Sequence, residues 1–403
     1  MRSRALWPLA VVVGALAVWT AGAPPAEAGP RARRGKTEIP REDVVARLDG
    51  VLKTGLNTIT ADAVAQLLLD GDPANDPFLL DVRDPRDFRR GHIPGAVNVP
   101  LRKLATKWAR KRSLIPADRD VVVVGYYGGD ANLASLVVNA VRIEDPGNAS
   151  AYRTSKALFM GMMAWSFDPA HSNGHRYDTD LGSMRVDRAT ETTANTPGAF
   201  DAPRQKRLRA RSLEDGILSL AKVAFRKARR PNDLQVPATS LAALFDGGAT
   251  PQILSVRGGG DYAKGHIPGA INVGWKDVAL EQNAAKLDPG QPVYVYCYTG
   301  HTGSLAASAL RLLGYDARNV LYGMCGWRPA SAVSATQLLN FDLNRAWDFP
   351  IDDGGPDDLG TLAAYAPPTG CVACHTSLTG IFYDRSVANP PPALPAPPSV
   401  GEG

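Results

Sequence analysis

Four cysteines, Cys297, Cys325, Cys371 and Cys374, carry the chain's most reactive side chains, and their settings differ. Cys297 follows the run Val293 to Tyr296 and precedes Tyr298-Thr299-Gly300-His301-Thr302-Gly303, after which Ser304 to Leu313 (SLAASALRLL) has helical composition. A thiol between a buried strand and a helix sits where the main-chain N–H groups of residues 298 to 303 can converge on sulfur. The positive end of the helix dipole adds to them. Both effects favour the thiolate, which is the nucleophile, and both favour a persulfide anion equally. Gly300 and Gly303 let the backbone curl without Cβ clashes. Phosphatases use a similar loop with an arginine six positions after the cysteine. Gly303 occupies that position here, which removes the phosphate clamp.

Cys325 lies in LYGMCGW, just past the expected strand Asn319 to Leu321. Loops after adjacent parallel strands gather at one sheet edge, so Cys325 can approach Cys297. The simpler reading is a buried small hydrophobe; the sharper one is a resolving cysteine or a regulatory disulfide. Cys371-Val372-Ala373-Cys374-His375 is the c-type haem attachment pattern. Cys371 and Cys374 would form the thioethers and His375 the proximal iron ligand, making haem c the expected cofactor. A CxxC disulfide and a free or metal-binding dithiol are the alternatives. No methionine or histidine follows His375, so a distal ligand has to come from elsewhere, with His171 and His175 as candidates.

These loops need a scaffold, and the chain supplies one twice. Residues 78 to 100 (FLLDVRDPRDFRRGHIPGAVNVP) correspond to residues 252 to 274 (QILSVRGGGDYAKGHIPGAINVG), with Gly-His-Ile-Pro-Gly-Ala identical in both. VVVVGYYGGDAN (121 to 132) matches VYVYCYTGHTGS (293 to 304), and GMMAW (161 to 165) matches GMCGW (323 to 327). The offset shrinks along the repeat, placing extra residues near 142 to 158 in the first copy. A period this long marks duplicated domains rather than a solenoid. Short β-branched runs such as Ile253 to Val256 and Val293 to Tyr296 alternate with helical stretches, and Gly314 ends the helix after Cys297. The expected fold class is α/β, each copy a largely parallel sheet flanked by helices.

The organisation follows. Residues 1–28 read as a signal peptide: Arg2 and Arg4, an apolar run from Ala5 to Gly22, and an Ala-x-Ala site ending at Ala28. Residues 29–55 are an N-terminal linker, 56–180 the first copy, 181–235 a basic linker and 236–335 the second copy. Residues 336–403 form an irregular extension ending in a Pro-rich tail. In the linker, Leu213, Ile217, Leu220 and Ala224 form a stripe at helical spacing between basic ends. A helix packed on one of the domains is favoured over one docked on an anionic membrane. The chain is 44% hydrophobic and 21% charged, which is ordinary for a globular protein, and the net charge of +5 implies no nucleic-acid partner. The expected location is periplasmic or secreted, with no stable transmembrane segment after cleavage.

Several motifs in a fixed order, LSVR…GHIPGA, the Cys297 loop and LYGMCGW, resemble the rhodanese-like domain family over about half of the mature chain. The resemblance implies a tandem sulfurtransferase that carries sulfane sulfur on Cys297 as a persulfide, taken from a small donor and passed to a thiophilic acceptor. Its loop would be Tyr298, Thr299, Gly300, His301, Thr302 and Gly303, with Arg257 as electrostatic support. Two departures bear on substrate preference: the loop has no arginine, and Ser255 replaces the aspartate expected before Val-Arg. The first copy keeps Asp81 and Arg83 but has Gly125 in place of the cysteine, so it is expected to be catalytically dead, packing on the second copy and shaping access to Cys297. His92 and His266 recur in both copies and are read as turn-stabilising. If haem is attached, a periplasmic redox partner follows. The rival reading is a non-catalytic, haem-bearing subunit that uses the folds as scaffold.

Overall fold

Val121-Val122-Val123-Val124 lacks polar alternation because both faces of its strand are buried, as parallel strands covered by helices require. Val121 and Val123 face one hydrophobic cluster, and Val122 and Val124 face another. The second copy repeats this with Val293 and Val295 on one side and Tyr296 on the other. The computed structural model describes residues 35–55, 58–166, 168–174, 186–203, 207–228, 230, 233–328 and 351. The segment read as a signal peptide, His175, and the Cys371, Cys374 and His375 motif with its Pro-rich tail all lie outside these residues.

The first part of the chain runs β1 (Thr37–Glu38), α1 (Arg41–Lys53), β2 (Thr58–Ile59), α2 (Ala61–Leu69), β3 (Phe78–Asp81), α3 (Pro85–Phe88), β4 (Val97–Asn98), α4 (Leu101–Arg110), β5 (Val121–Val124), α5 (Gly129–Arg142), β6 (Ser155–Leu158) and α6 (Met162–Trp165). The bridge holds β7 (Arg209–Ala210) and α7 (Leu213–Lys227). The second copy follows as β8 (Gln235–Val236), α8 (Ala238–Asp246), β9 (Gln252–Ser255), α9 (Gly259–Lys264), β10 (Ala270–Asn272), α10 (Glu281–Ala284), β11 (Val293–Tyr296), α11 (His301–Leu312), β12 (Ala317–Val320) and α12 (Gly323–Trp327).

Among the described residues there are two five-stranded sheets, ordered β2-β6-β5-β3-β4 and β8-β12-β11-β9-β10, with every pairing parallel. The chain moves outward from β3 to β4, then returns to place β5 on the other side of β3. That reversal opens a crevice at the carboxyl ends of β3 and β5, and of β9 and β11 in the second copy. The extra residues of the first copy form a 3₁₀ stretch, Pro146–Ala151, ahead of β6.

The two copies share one core. α5 and α11, the helices that follow the two equivalent loops, pack against each other. Small residues let them approach closely, Ala131, Ala134 and Ala140 on α5 and Ala306, Ala307 and Ala309 on α11, all buried. α7 lies across both, touching α4 and α5 from one copy and α11 from the other. Ser212 caps its start by accepting from Asp215 N–H, and its buried face is Ile217, Leu218, Ala221, Ala224 and Phe225. The expected stripe is thus widened, and Leu213 and Leu220 sit at its margin. The residues read as an N-terminal linker contain α1, whose Val44, Val45, Leu48, Val51 and Leu52 enter the same core. Among the described residues no helix is long and apolar enough to cross a membrane.

Candidate active site

β11 delivers the chain to the crevice at Tyr296, and Cys297 is the first residue beyond the strand. The turn Tyr298-Thr299-Gly300 follows, and α11 opens at His301, three residues before the expected start. Gly300 has φ +99°, and a Cβ there would stand 3.0 Å from the Tyr322 nitrogen, so this position needs glycine on both counts. Gly303 has a different role from the expected one: it lies inside α11, where a Cβ would collide with the Asn319 side chain on β12. It permits close helix–strand approach rather than a curl.

The Gly300 N–H donates to Cys297 Sγ at 3.1 Å, and Cys297 is 2% exposed. Of the loop amides, Gly300's is the one bonded to the sulfur, so the convergence expected over residues 298 to 303 narrows to this contact at the head of α11. The loop is gripped from below by α12, where Met324 N–H donates to the Cys297 carbonyl at 2.9 Å and Cys325 N–H to the Tyr298 carbonyl at 3.0 Å. That grip requires unusual backbone: Tyr322 has φ +61° and Gly323 φ +52°, and a Cβ on Gly323 would overlap the Cys297 carbonyl. Tyr298 Oη donates to Asp261 Oδ2 at 2.5 Å and accepts from Gly258 N–H at 3.3 Å. Burial and the Asp261 hydrogen bond push the Tyr298 hydroxyl up to about 12, so it stays a donor across the working range.

Cys325 is fully buried and both it and Cys297 are free thiols. Desolvation, reinforced by the neighbouring Cys297, pushes the Cys325 thiol well above its ordinary value, which suits a small hydrophobe rather than a second nucleophile. Arg257 is 1% exposed, donates from Nη2 to the Gly265 carbonyl at 2.6 Å, and lies over the rings of Tyr296 and Tyr298 at 5.4 and 5.8 Å. Thr299 and Thr302 are half-buried at the loop's outer edge.

The first copy keeps the whole frame of this loop without its thiol. Met160 and Gly161 repeat the positive φ values, 53° and 55°, and a Cβ on Gly161 would overlap the Gly125 carbonyl. Tyr126 Oη donates to Asp87 at 2.7 Å as Tyr298 does to Asp261. A Cβ on Gly125 would overlap the Asp130 carboxylate. That carboxylate accepts from Tyr126 N–H at 3.1 Å and Ala131 N–H at 3.0 Å, so the anion nest of the first copy is filled from within. Burial lifts the Asp130 carboxyl to about 6 against the pull of those amides, and residue 130 is 6% exposed.

The two loops meet at a narrow crevice. Tyr127, Gly128 and Asn132 line it from one copy, and Thr299, Gly300 and His301 from the other. The His301 ring lies 4.0 Å from that of Phe159 across the junction. His92 and His266 stay away from this crevice chemistry. Each uses Nδ1 to donate to the carbonyl four residues back, Phe88 at 3.0 Å and Tyr262 at 2.8 Å, and stacks on that residue's ring. His171, a candidate haem ligand, is buried in the first copy, with Nδ1 at 2.9 Å from Ser166 Oγ and its carbonyl accepting from Arg83. Among the described residues no group of three or more His, Cys, Asp or Glu side chains is placed to hold a metal.

Sequence reasoning missed Asp130, Phe159 and Asn319. Asp130 aligns with Thr302 of the reactive loop, a polar-for-charged exchange that had a readable signal; Phe159 and Asn319 act through tertiary contact and had none.

Comparison with known proteins agrees with this architecture. The profile of the rhodanese-like domain matches residues 60–167 and 237–330. The thiosulfate sulfurtransferase GlpE of Shewanella oneidensis is 33% identical over 82 residues, 20% of this chain and 79% of that protein. The HTH-type transcriptional regulator Rv0324 of Mycobacterium tuberculosis is 35% identical over 107 residues, 26% of this chain and 41% of that protein. A solved thiosulfate sulfurtransferase from Pseudomonas aeruginosa is 19% identical, covering 69% of this chain and 46% of that one, with a TM-score of 0.24. The chain spans about half, or less, of the length of the first curated relatives it matches.

Proposed function

The chain belongs to the rhodanese-like domain family, whose two matches cover half of its length, and on that footing we propose that it transfers sulfane sulfur through a persulfide on Cys297. The observation that carries this reading is the Gly300 N–H on the Cys297 sulfur at the head of α11, in the one copy that has the thiol. A hydrogen-bond donor and a helix N-terminus stabilise anionic sulfur both before and after loading.

In the loading step the Cys297 thiolate attacks the outer sulfur of a donor such as thiosulfate. The new Cys–S–S bond forms, the donor's S–S bond breaks, and sulfite leaves with the bonding pair. In the unloading step a thiophile attacks the terminal sulfur and Cys297 departs as thiolate; cyanide becomes thiocyanate. No proton needs a dedicated base, because the leaving group in each step is a stable anion. Gly125 together with Asp130 keeps the first copy out of the chemistry.

Export and a covalent haem c at Cys371, Cys374 and His375 belong to the proposal on sequence grounds, and no step above involves the haem. With haem attached, the extension would offer a route to a redox partner. Thiosulfate:cyanide sulfurtransferase assay of the wild type against Cys297→Ala tests the reading. Turnover is expected in the wild type and lost in the variant; equal low rates would instead favour a scaffold subunit. Intact mass of exported protein tests cleavage after Ala28 and the haem adduct together.

A further inference from the structure

The basic residues are spread unevenly. Residues 101–112, α4 and the turn after it, hold six cations and no acid, one more positive charge than the net +5 of the whole chain. The helix is two-faced. Leu101, Leu104, Ala105 and Trp108 enter the core, while Arg102, Lys103, Lys107 and Arg110 stand exposed on the other side, followed by Lys111. Over a rise of about 15 Å this makes one cationic edge. α7 packs beside α4, and Arg112 pairs with Asp215 where the two helices meet. Arg209 and Arg211, both exposed, carry the positive charge on to the head of α7. The acids there are already taken, Asp215 by Arg112 and Glu214 by Arg47.

The side chains that this face lacks narrow its partner. It has no exposed aromatic ring on which a base could stack, since Trp108 is 4% exposed and gives its Nε1–H to the Arg112 carbonyl. It has no large apolar side chain to anchor a protein interface: the exposed ones among the described residues are Leu69, Val97, Phe200 and Val223, none of them on α4. Dense charge without anchors suits a surface that is itself a continuous sheet of anions. The course of the chain agrees. β1 pairs with β7, Thr37 opposite Ala210, so the chain enters this body beside Arg209 and Arg211, and the apolar run Ala5 to Gly22 precedes that point in sequence. An apolar segment and a basic face are the two kinds of signal that together hold a protein at a bilayer.

We propose that α4 and the head of α7 form an electrostatic docking face for a bilayer surface rich in anionic lipid. The apolar stripe of α7 stays in the core, so the contact is one of charge and not of insertion. The face stands apart from the reading of Cys297, and its test reads binding rather than turnover.

The test is flotation of the full chain with vesicles of phosphatidylcholine, alone or mixed with phosphatidylglycerol. Higher affinity for the mixed vesicles is expected, falling as salt screens the charges. The triple variant Lys103→Glu, Lys107→Glu, Lys111→Glu is expected to lose about tenfold or more of that affinity. A control with the same net charge, Arg86→Glu, Lys156→Glu, Lys276→Glu, changes three exposed cations elsewhere and is expected to bind nearly as the wild type does. All of these chains share one N-terminus, so the difference reports the face. Replacing the three α4 lysines by glutamine gives the same reading should the glutamates disturb folding. Equal affinity for neutral and mixed vesicles, or equal losses in the α4 and control variants, would overturn the proposal. So would capture by duplex DNA or polyglutamate without capture by the mixed vesicles.

Discussion

Asp130 and Gly125 act as a pair: the carboxylate occupies the space that a cysteine side chain would need. Gly125→Cys alone is therefore expected to overpack the loop, costing about 1–3 kcal/mol, without producing a reactive thiol. Gly125→Cys with Asp130→Thr, the residue found at Thr302, is expected to yield a thiol that iodoacetamide labels in a Cys297→Ala background. Equal labelling of the single and double variants would contradict the pairing. Asp130 also sets a pH dependence. Its folded value of about 6 lies above the 3.8 of a free carboxyl, so its stabilisation is complete below 3.8 and lost as pH rises through about 6. The gap limits the effect to roughly 3 kcal/mol. Urea midpoints measured across this window should fall with rising pH more steeply in the wild type than in Asp130→Thr, and parallel profiles would contradict the assignment.

α7 shows how far an element can be read before its neighbours are known. The stripe at Ile217 and Ala224 and the basic ends mark an amphipathic helix, and the helix is there. Its burial on both copies was not legible, because a face widened by Leu218, Ala221 and Phe225 makes sense only once two domains press on it. The same holds for α1, whose apolar spacing was present at Val44, Leu48, Val51 and Leu52 but lay outside the repeat that framed the domains. The parallel α/β class was legible from β-branched runs: Val293 to Tyr296 is a strand as read, Ile253 to Val256 is shifted by one residue, and the strand expected at Asn319 to Leu321 starts earlier, at Ala317. The start of α11 was not, because Gly300 in a left-handed conformation turns the chain earlier than composition implies. Phe225 is fully buried between the copies. Phe225→Ala is expected to cost about 3–5 kcal/mol and to leave a single urea transition, since both copies share the core that it anchors. Two separated transitions in the wild type would contradict a shared core.

At the scale of the whole molecule, duplication divides one frame between two roles. Both copies keep the crevice, the strained turn into the short helix after it and the tyrosine–aspartate brace. One copy fills its nest with its own carboxylate; the other leaves the Gly300 N–H to a cysteine sulfur. α5 and α11 hold the loops together, so the inert copy forms one wall of the crevice beside the reactive one. Cys325 is sealed behind that loop, and on the proposed reading sulfur is carried at Cys297 alone. The most direct test loads the intact chain with thiosulfate in the absence of acceptor and maps all four cysteines by peptide mass. A gain of about 32 Da on the Cys297 peptide, removed by cyanide, is the predicted result; an unmodified Cys297 peptide, or sulfur retained at Cys325, Cys371 or Cys374 instead, would contradict it.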